Sequence, residues 1–220
     1  MLNYLTRNSP QIICITEHHS LDEDLESITL HPYTLGAKFC GRPHKCGVCV
    51  YSFRIIFTVL ILIWYRYSNK KDIEICDVKL HILSCIIIIR TVYTSPTVNI
   101  AYVLNNLKAA LNQVYNNTVD IILCGDLNIN YFNDNQNKQA VNSLLTSYSL
   151  YSTIDFPTII HNISHNMIDN TFINKFKNES YSVYSLINGL SVHDAQVLSL
   201  LSYQVTEMKF IPIGKQANTC

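Results

Sequence analysis

The chain has 220 residues, 48% of them apolar and 15% charged; that is length enough for one domain with a sizeable core, and the composition excludes intrinsic disorder. Lys plus Arg number 16 and Asp plus Glu number 16, so the formal net charge is zero. A bulk charge argument for nucleic-acid binding is therefore excluded: affinity for DNA would need a local patch, and no dense Lys/Arg run is present.

In chain order, residues 12–15 (Ile-Ile-Cys-Ile) read as the first strand. Strands are also expected at 48–51, 57–65, 73–80, 86–89 and 121–124, all rich in β-branched residues. Several lack polar alternation, as strands covered on both faces do. The longest apolar run, 55–65, is closed by Arg54 and Arg66. It is far short of the about 20 residues a spanning helix needs, so a buried strand is the reading and no membrane partner is expected.

Residues 99–116 carry Ile100, Val103, Leu104, Leu107, Leu111 and Val114 at helical spacing, and Ser95-Pro96-Thr97 before them supplies a stop and offers a cap. A second helix is expected over 136–147, with Val141, Leu144 and Leu145 inward. Strands interleaved with helices predict an α/β or α+β layered domain over residues 1–205, followed by a polar tail over 206–220.

Cys14, Cys76, Cys85 and Cys124 sit inside apolar runs, where a free thiol behaves as a small hydrophobe. Cys46 and Cys49 form a CxxC with no second pair at zinc-finger spacing. The N-terminus lacks the basic, apolar and small-residue succession of an export signal, so the expected setting is intracellular, nuclear or cytoplasmic, and not secreted. The Asn-x-Ser/Thr triplets at Asn116, Asn162 and Asn178 then carry little weight.

The chemistry gathers at strand ends. The first strand runs into Glu17; residues 121–124 run through Gly125 into Asp126 and Asn128; the 86–89 strand leads to Tyr93; Asp169 and His193 come later. Taken singly, Glu17 or Asp169 reads as a turn residue. Gly125-Asp126-Leu127-Asn128 says more, because a sharp turn at the glycine would present a carboxylate and an amide side by side, able to hold and polarise a water. Phosphodiester hydrolysis needs that water and positive charge at the phosphate, which Mg²⁺ on carboxylate oxygens supplies. Glu17 is a fitting ligand, and a His oriented by an Asp can stabilise developing charge.

Seven stretches in order carry a family resemblance: Ile15-Thr-Glu17-His-His19, Cys46-Gly-Val-Cys-Val-Tyr51, Val92-Tyr93-Thr-Ser-Pro96, Cys124-Gly-Asp126-Leu-Asn128-Ile-Asn130, Pro157-Thr158, Met167-Ile-Asp169-Asn170-Thr-Phe172 and Leu190-Ser-Val-His193-Asp-Ala-Gln196. They cover nearly the whole chain. The sequence resembles the endonuclease/exonuclease/phosphatase superfamily, and most of all the endonuclease domains of LINE-type (non-LTR) retrotransposons. The resemblance implies two mixed β-sheets packed face to face in a four-layer fold with helices outside. It also implies Mg²⁺ or Mn²⁺ on Glu17, Asp126 activating the attacking water, and Asn128 positioning water and phosphate. Tyr93 would contact the phosphate, His193 would stabilise the transition state, and Asp169 would orient His193. The implied partners are DNA, nicked to prime reverse transcription, and a reverse transcriptase domain in a longer parent polyprotein.

The chain departs from the family pattern in three places. Ser191-Val192-His193 stands where the family reads Ser-Asp-His, and Asp194, one residue along, points the other way if the segment is extended. The family's opening strand is expected to be missing, since residues 1–5 resemble the helix that follows it, and Asn3 is no substitute for that strand's Asn. Thr94 and Ile159 stand where relatives commonly carry Arg, and from Asp126 to Asn174 there are four Asp, one Lys and no Arg. Two functions therefore stand side by side: an active metal-dependent DNA endonuclease, or an impaired remnant acting at most as a weak binding module. A phosphoinositide or nucleotide substrate is a third, against which the retrotransposon-like stretches count.

Overall fold

The computed structural model describes residues 10–40, 47–53, 58–62, 68, 72–82, 85–161, 164–174, 181–187 and 192–200. In chain order these contain β1 (Ile12–Thr16), α1 (Asp22–Ser27), β2 (Tyr33–Phe39), β3 (Val48–Phe53), β4 (Thr58–Leu62), β5 (Ile73–Ile82) and β6 (Cys85–Thr94). Then come α2 (Ile100–Val114), β7 (Val119–Asp126), α3 (Gln136–Thr146), β8 (Tyr151–Ser152), β9 (Ile159–His161), β10 (Ser164–Asn166), β11 (Asp169–Ile173), β12 (Tyr181–Leu186) and β13 (Ala195–Leu200). The helix-like residues 1–5 with Asn3, the 206–220 tail and Cys46 fall on residues outside this set.

The larger sheet has six strands in the order β4-β5-β6-β7-β11-β8. It is mixed: β6 and β7 run parallel, joined over the top by α2, and the other neighbours are antiparallel. The smaller sheet, β1-β3-β2, is antiparallel. β9 pairs with β10 and β12 with β13 as separate two-stranded ribbons.

The period of two along β6 explains the layering. Ile87, Ile89 and Tyr93 join Val78, Leu80 and Cys76 of β5 against Ala37, Phe39, Val48 and Val50 of the smaller sheet, with Ile12, Cys14, Ile122 and Cys124 at the edge. Ile88 and Val92, on the opposite face, pack with Ile73, Ile75, Ile121 and Leu123 against Val103, Leu107, Leu111, Val141 and Leu145 of the two long helices. A third cluster, Leu25 with Tyr33, Cys49 and Tyr51, seats α1 on the outside of the smaller sheet. Helices, sheet, sheet and helix make four layers, the architecture expected from the sequence.

Three local readings need correction. The cap of α2 is Asn99, whose side chain accepts from the Ala101 N–H at 2.9 Å, not the Ser95–Thr97 stretch. The 86–89 strand continues through Thr94, because Arg90 in its middle is buried with Asp77 of β5 directly opposite, its Nε 2.9 Å from Oδ1. Gly125 is not the turn. It lies inside β7, at φ +130°, paired with Val92 on one side and Asn170 on the other, and a Cβ there would sit 2.0 Å from the Val92 carbonyl oxygen. The glycine lets two strands approach; the turn comes at Asn128, with φ 51°.

Cys14, Cys76 and Cys124 belong to the core between the sheets and carry no disulfide, as their apolar settings predict; Cys49 is also free and buried. Among the described residues no helix is long and apolar enough to cross a membrane.

Candidate active site

Strand register builds the floor of the site. Glu74 of β5 is opposite Tyr93 of β6, Tyr93 is opposite Asp126 of β7, and Asp126 is opposite Asp169 of β11. These four side chains form one row across the larger sheet. Side chains at matched register share a face, so the row faces the smaller sheet together with Tyr93.

The smaller sheet supplies Glu17. It follows β1 directly and takes φ 54°, a left-handed conformation that costs a non-glycine residue about 1–3 kcal/mol and is found where function holds it. Its neighbour is tied down in turn: the His18 N–H donates to the Gly47 carbonyl at 3.4 Å, and the Gly47 N–H donates to Glu74 Oε2 at 2.7 Å. Gly47 has φ +121°, and a Cβ on it would lie 2.1 Å from the His18 ring. Glu74, buried in the floor row, thus anchors the segment that carries Glu17.

The fourth wall is the segment 192–194. His193 forms an isolated bridge with Ile159, and its Nδ1 lies 2.9 Å from Asp169 Oδ2. One ligand atom each from Glu17, Asp126 and His193 all lie within 4.8 Å of one another. Asp126 is almost wholly buried, and its Oδ1 accepts from the Asn128 backbone N–H at 2.8 Å. The Asn128 side chain fastens the turn, donating through Nδ2 to the Thr94 carbonyl at 2.6 Å.

The electrostatics follow from this packing. Burial, then the neighbouring Asp169 carboxylate, pushes the Asp126 carboxyl up to about 8; the Asn128 N–H and His193 oppose the rise. The hydrogen bond that His193 donates to the Asp169 carboxylate holds the imidazole above its usual range, with burial opposing. Two acids and an imidazole converging in a partly buried mouth suit a divalent cation: carboxylate oxygens take Mg²⁺ or Mn²⁺, and a cation would relieve the facing Asp126 and Asp169. Without it the same groups can take a proton at Asp126 and present an imidazolium to an anion at His193. A cleft of about 380 Å³ that shares Asn128 is lined by Asn128, Asn130, Asn135, Gln136 and Asn137, amides with no formal charge, and by Ile129.

The structure therefore gathers Glu17, Asp126, Asp169 and His193, with Tyr93 and Asn128 alongside. Val192 is 64% exposed, and Asp194 turns away, its Oδ2 accepting from Ser185 Oγ at 3.2 Å. Reading the sequence missed Glu74, and it quoted Gly47 and Thr158 within motifs without giving either a task. An acid inside the apolar Ile73-Glu74-Ile75-Cys76 run was the available signal for the first.

No family model matches the chain, and no curated protein matches it. Solved structures do. The endonuclease domain of TRAS1, a telomere-specific non-LTR retrotransposon, superposes with a TM-score of 0.68 at 14% identity, over 91% of this chain and 90% of that one. An AP endonuclease from Archaeoglobus fulgidus gives 0.65 at 14% identity, over 91% and 92%. The 3′ phosphatase NExo from Neisseria, bound to a product DNA hairpin, gives 0.61 at 12% identity, over 90% and 92%. The chain has the endonuclease/exonuclease/phosphatase fold.

Proposed function

We propose that the chain is a divalent-metal-dependent phosphodiester hydrolase, a DNA endonuclease of retrotransposon origin that nicks target DNA. The observation that carries the reading is convergence: Glu17, Asp126 and His193 arrive from three separate segments to lie within 4.8 Å of one another, with Asp169 on His193. The likeness in fold to a retrotransposon endonuclease and to an enzyme held with DNA supports DNA as the substrate class. A reverse transcriptase domain in a parent polyprotein is the partner this reading implies.

Each residue has a task. Glu17, with Asp126 beside it, would hold Mg²⁺ or Mn²⁺, which when bound supplies positive charge at the scissile phosphate. Asp126, buried between Tyr93 and Asp169 in the floor row, takes the proton of the attacking water. Asn128, fixed by its bond to Thr94, orients water and phosphate, and Tyr93 meets a phosphate oxygen. His193, kept cationic by Asp169, stabilises the charge that builds in the transition state.

A second reading rests on Val192 and Asp194. The only acid beside His193 in the sequence turns toward Ser185, and an apolar, exposed valine occupies the other side. On that reading the chain is an impaired remnant that keeps the fold and at most weak binding. Mg²⁺- or Mn²⁺-dependent nicking of supercoiled plasmid, measured beside Asp126→Ala, decides between them. Nicking lost in the variant supports the enzyme; none from folded wild type supports the remnant; equal nicking from both sinks the site.

A further inference from the structure

We propose that Thr158 is the positioning residue that sets the Asp169–His193 pair, because it is bonded to both segments that carry them. The inference deepens the hydrolase reading and rests on it for its catalytic consequence, but its geometry stands alone.

Thr158 is fully buried and makes four bonds. Its Oγ1 accepts from the backbone N–H groups of Ile168 and Asp169, each at 3.2 Å. Its own N–H donates to the Asn166 carbonyl at 2.8 Å, and its carbonyl accepts from the Asp194 N–H at 2.8 Å. The next residue, Ile159, bridges His193. One residue thus grips Asp169 itself on one side and the backbone flanking His193 on the other.

The physics favours a threonine. A hydroxyl offers two acceptor positions, and here two consecutive amides fill them. Its β-branched side chain is stiff at χ1, so the oxygen is held where those amides need it. The start of β11 cannot rotate about Asp169 without abandoning Thr158. Removing the oxygen takes this acceptor from two half-buried N–H groups, and the segment shifts to find others. A pair in contact at 2.9 Å tolerates little of this, since a misplacement of about 1 Å can cost about 10²-fold in rate.

The test uses the full-length chain as Thr158→Val, which keeps shape and deletes the oxygen, and Thr158→Ser, which keeps the oxygen. The first readout needs neither metal nor substrate: the slowly exchanging, low-field ring N–H proton of His193 in ¹H–¹⁵N spectra, assigned by its loss in His193→Gln. It should persist in wild type and Thr158→Ser, and vanish or exchange fast in Thr158→Val. The second is nicking, where Thr158→Val should lower kcat about 10²-fold with KM nearly unchanged and Thr158→Ser should restore it. A folded Thr158→Val that keeps both the proton and kcat overturns the inference. Should valine not fold, Thr158→Cys, a poor acceptor of similar size, is judged by the same criteria. If wild type nicks nothing yet the proton obeys the pattern, the positioning role stands and the nuclease reading falls.

Discussion

His193 Nδ1 lies 2.9 Å from Asp169 Oδ2, although the two residues are 24 apart in sequence and Asp169 opens β11 while His193 forms only an isolated bridge with Ile159. The contact fixes which ring nitrogen faces the carboxylate and leaves the other for the mouth of the site. Asp169→Asn keeps the shape and removes the charge. We expect the His193 titration to move down toward its ordinary value and nicking to fall about 10–100-fold, as for other residues that orient a catalytic group. Histidine NMR titration and plasmid nicking measure both. An unmoved His193 titration would show that the pair is not formed in solution.

Asp126 gives a pH prediction whose sign can be worked out. Its folded value is raised to about 8, so between the ordinary carboxylate range and 8 the folded chain holds a proton that the unfolded chain releases. The stability it contributes is complete at acid pH and is lost as pH rises through about 8. Asp126→Asn cannot release that proton. In metal-free buffer the variant should lose less thermal stability than wild type between pH 5 and 9, and in Mg²⁺ or Mn²⁺ it should be inactive at every pH. Parallel melting curves for the two proteins would refute the buried, raised carboxyl.

Gly125 offers a test of how the floor row is built. Any side chain there meets backbone, the Val92 carbonyl at 2.0 Å, which cannot swing aside as a side-chain tip would. Gly125→Ala should therefore cost about 3 kcal/mol and lower activity by moving Asp126 relative to Tyr93. Thermal unfolding and nicking check the two effects, and a melting point within a degree of wild type would mean that β6 and β7 are not this close.

The buried Arg90–Asp77 pair behaves differently from a surface ion pair. Both side chains are inaccessible, and Asp77 accepts from Nε and Nη2 of the arginine. Asp77→Ala should cost about 3–5 kcal/mol, because it leaves a guanidinium buried without its partner. Denaturant unfolding measures it. Replacing both residues by apolar ones of similar volume should recover most of the loss.

Long, strongly periodic segments were legible in the sequence. Helices predicted over 99–116 and 136–147 are observed at Ile100–Val114 and Gln136–Thr146, and the apolar strands at 12–15, 73–80 and 121–124 each lie within an observed one. What was lost was lost for identifiable reasons. β2 alternates Tyr33, Leu35, Ala37 and Phe39 with Thr34, Gly36 and Lys38, a period of two that was there to be read, although the bulge between Leu35 and Ala37 breaks it in the burial pattern. β12 carries its serines three apart, at 182 and 185, so it shows no period of two, and none of its residues is fully buried. The candidate site was legible residue by residue through ordered motifs, but the cross-strand row that aligns Tyr93, Asp126 and Asp169 with Glu74 is a matter of register. Register between strands far apart in sequence is set by packing and leaves no local trace. Thr158 was visible as a motif residue, while its task depends on three segments meeting.

Val192 is where activity and ancestry can be separated. Its side chain is 64% exposed, so Val192→Asp removes no core contact and should change stability by less than about 0.5 kcal/mol. Asp194 cannot already be serving in its place, since its carboxylate is engaged by Ser185. A new carboxylate beside His193 could add one charge-assisted bond, typically about 1.5–3 kcal/mol, which if realised in the transition state is about 10–100-fold in rate. We therefore expect Val192→Asp to raise nicking by at least about tenfold over wild type at equal thermal stability. A rise from a measurable baseline means that the site is intact apart from this residue. A rise from nothing means that Val192 alone silences it. No change in a folded variant, with the His193–Asp169 contact verified, places the deficit elsewhere than Val192 and favours the remnant.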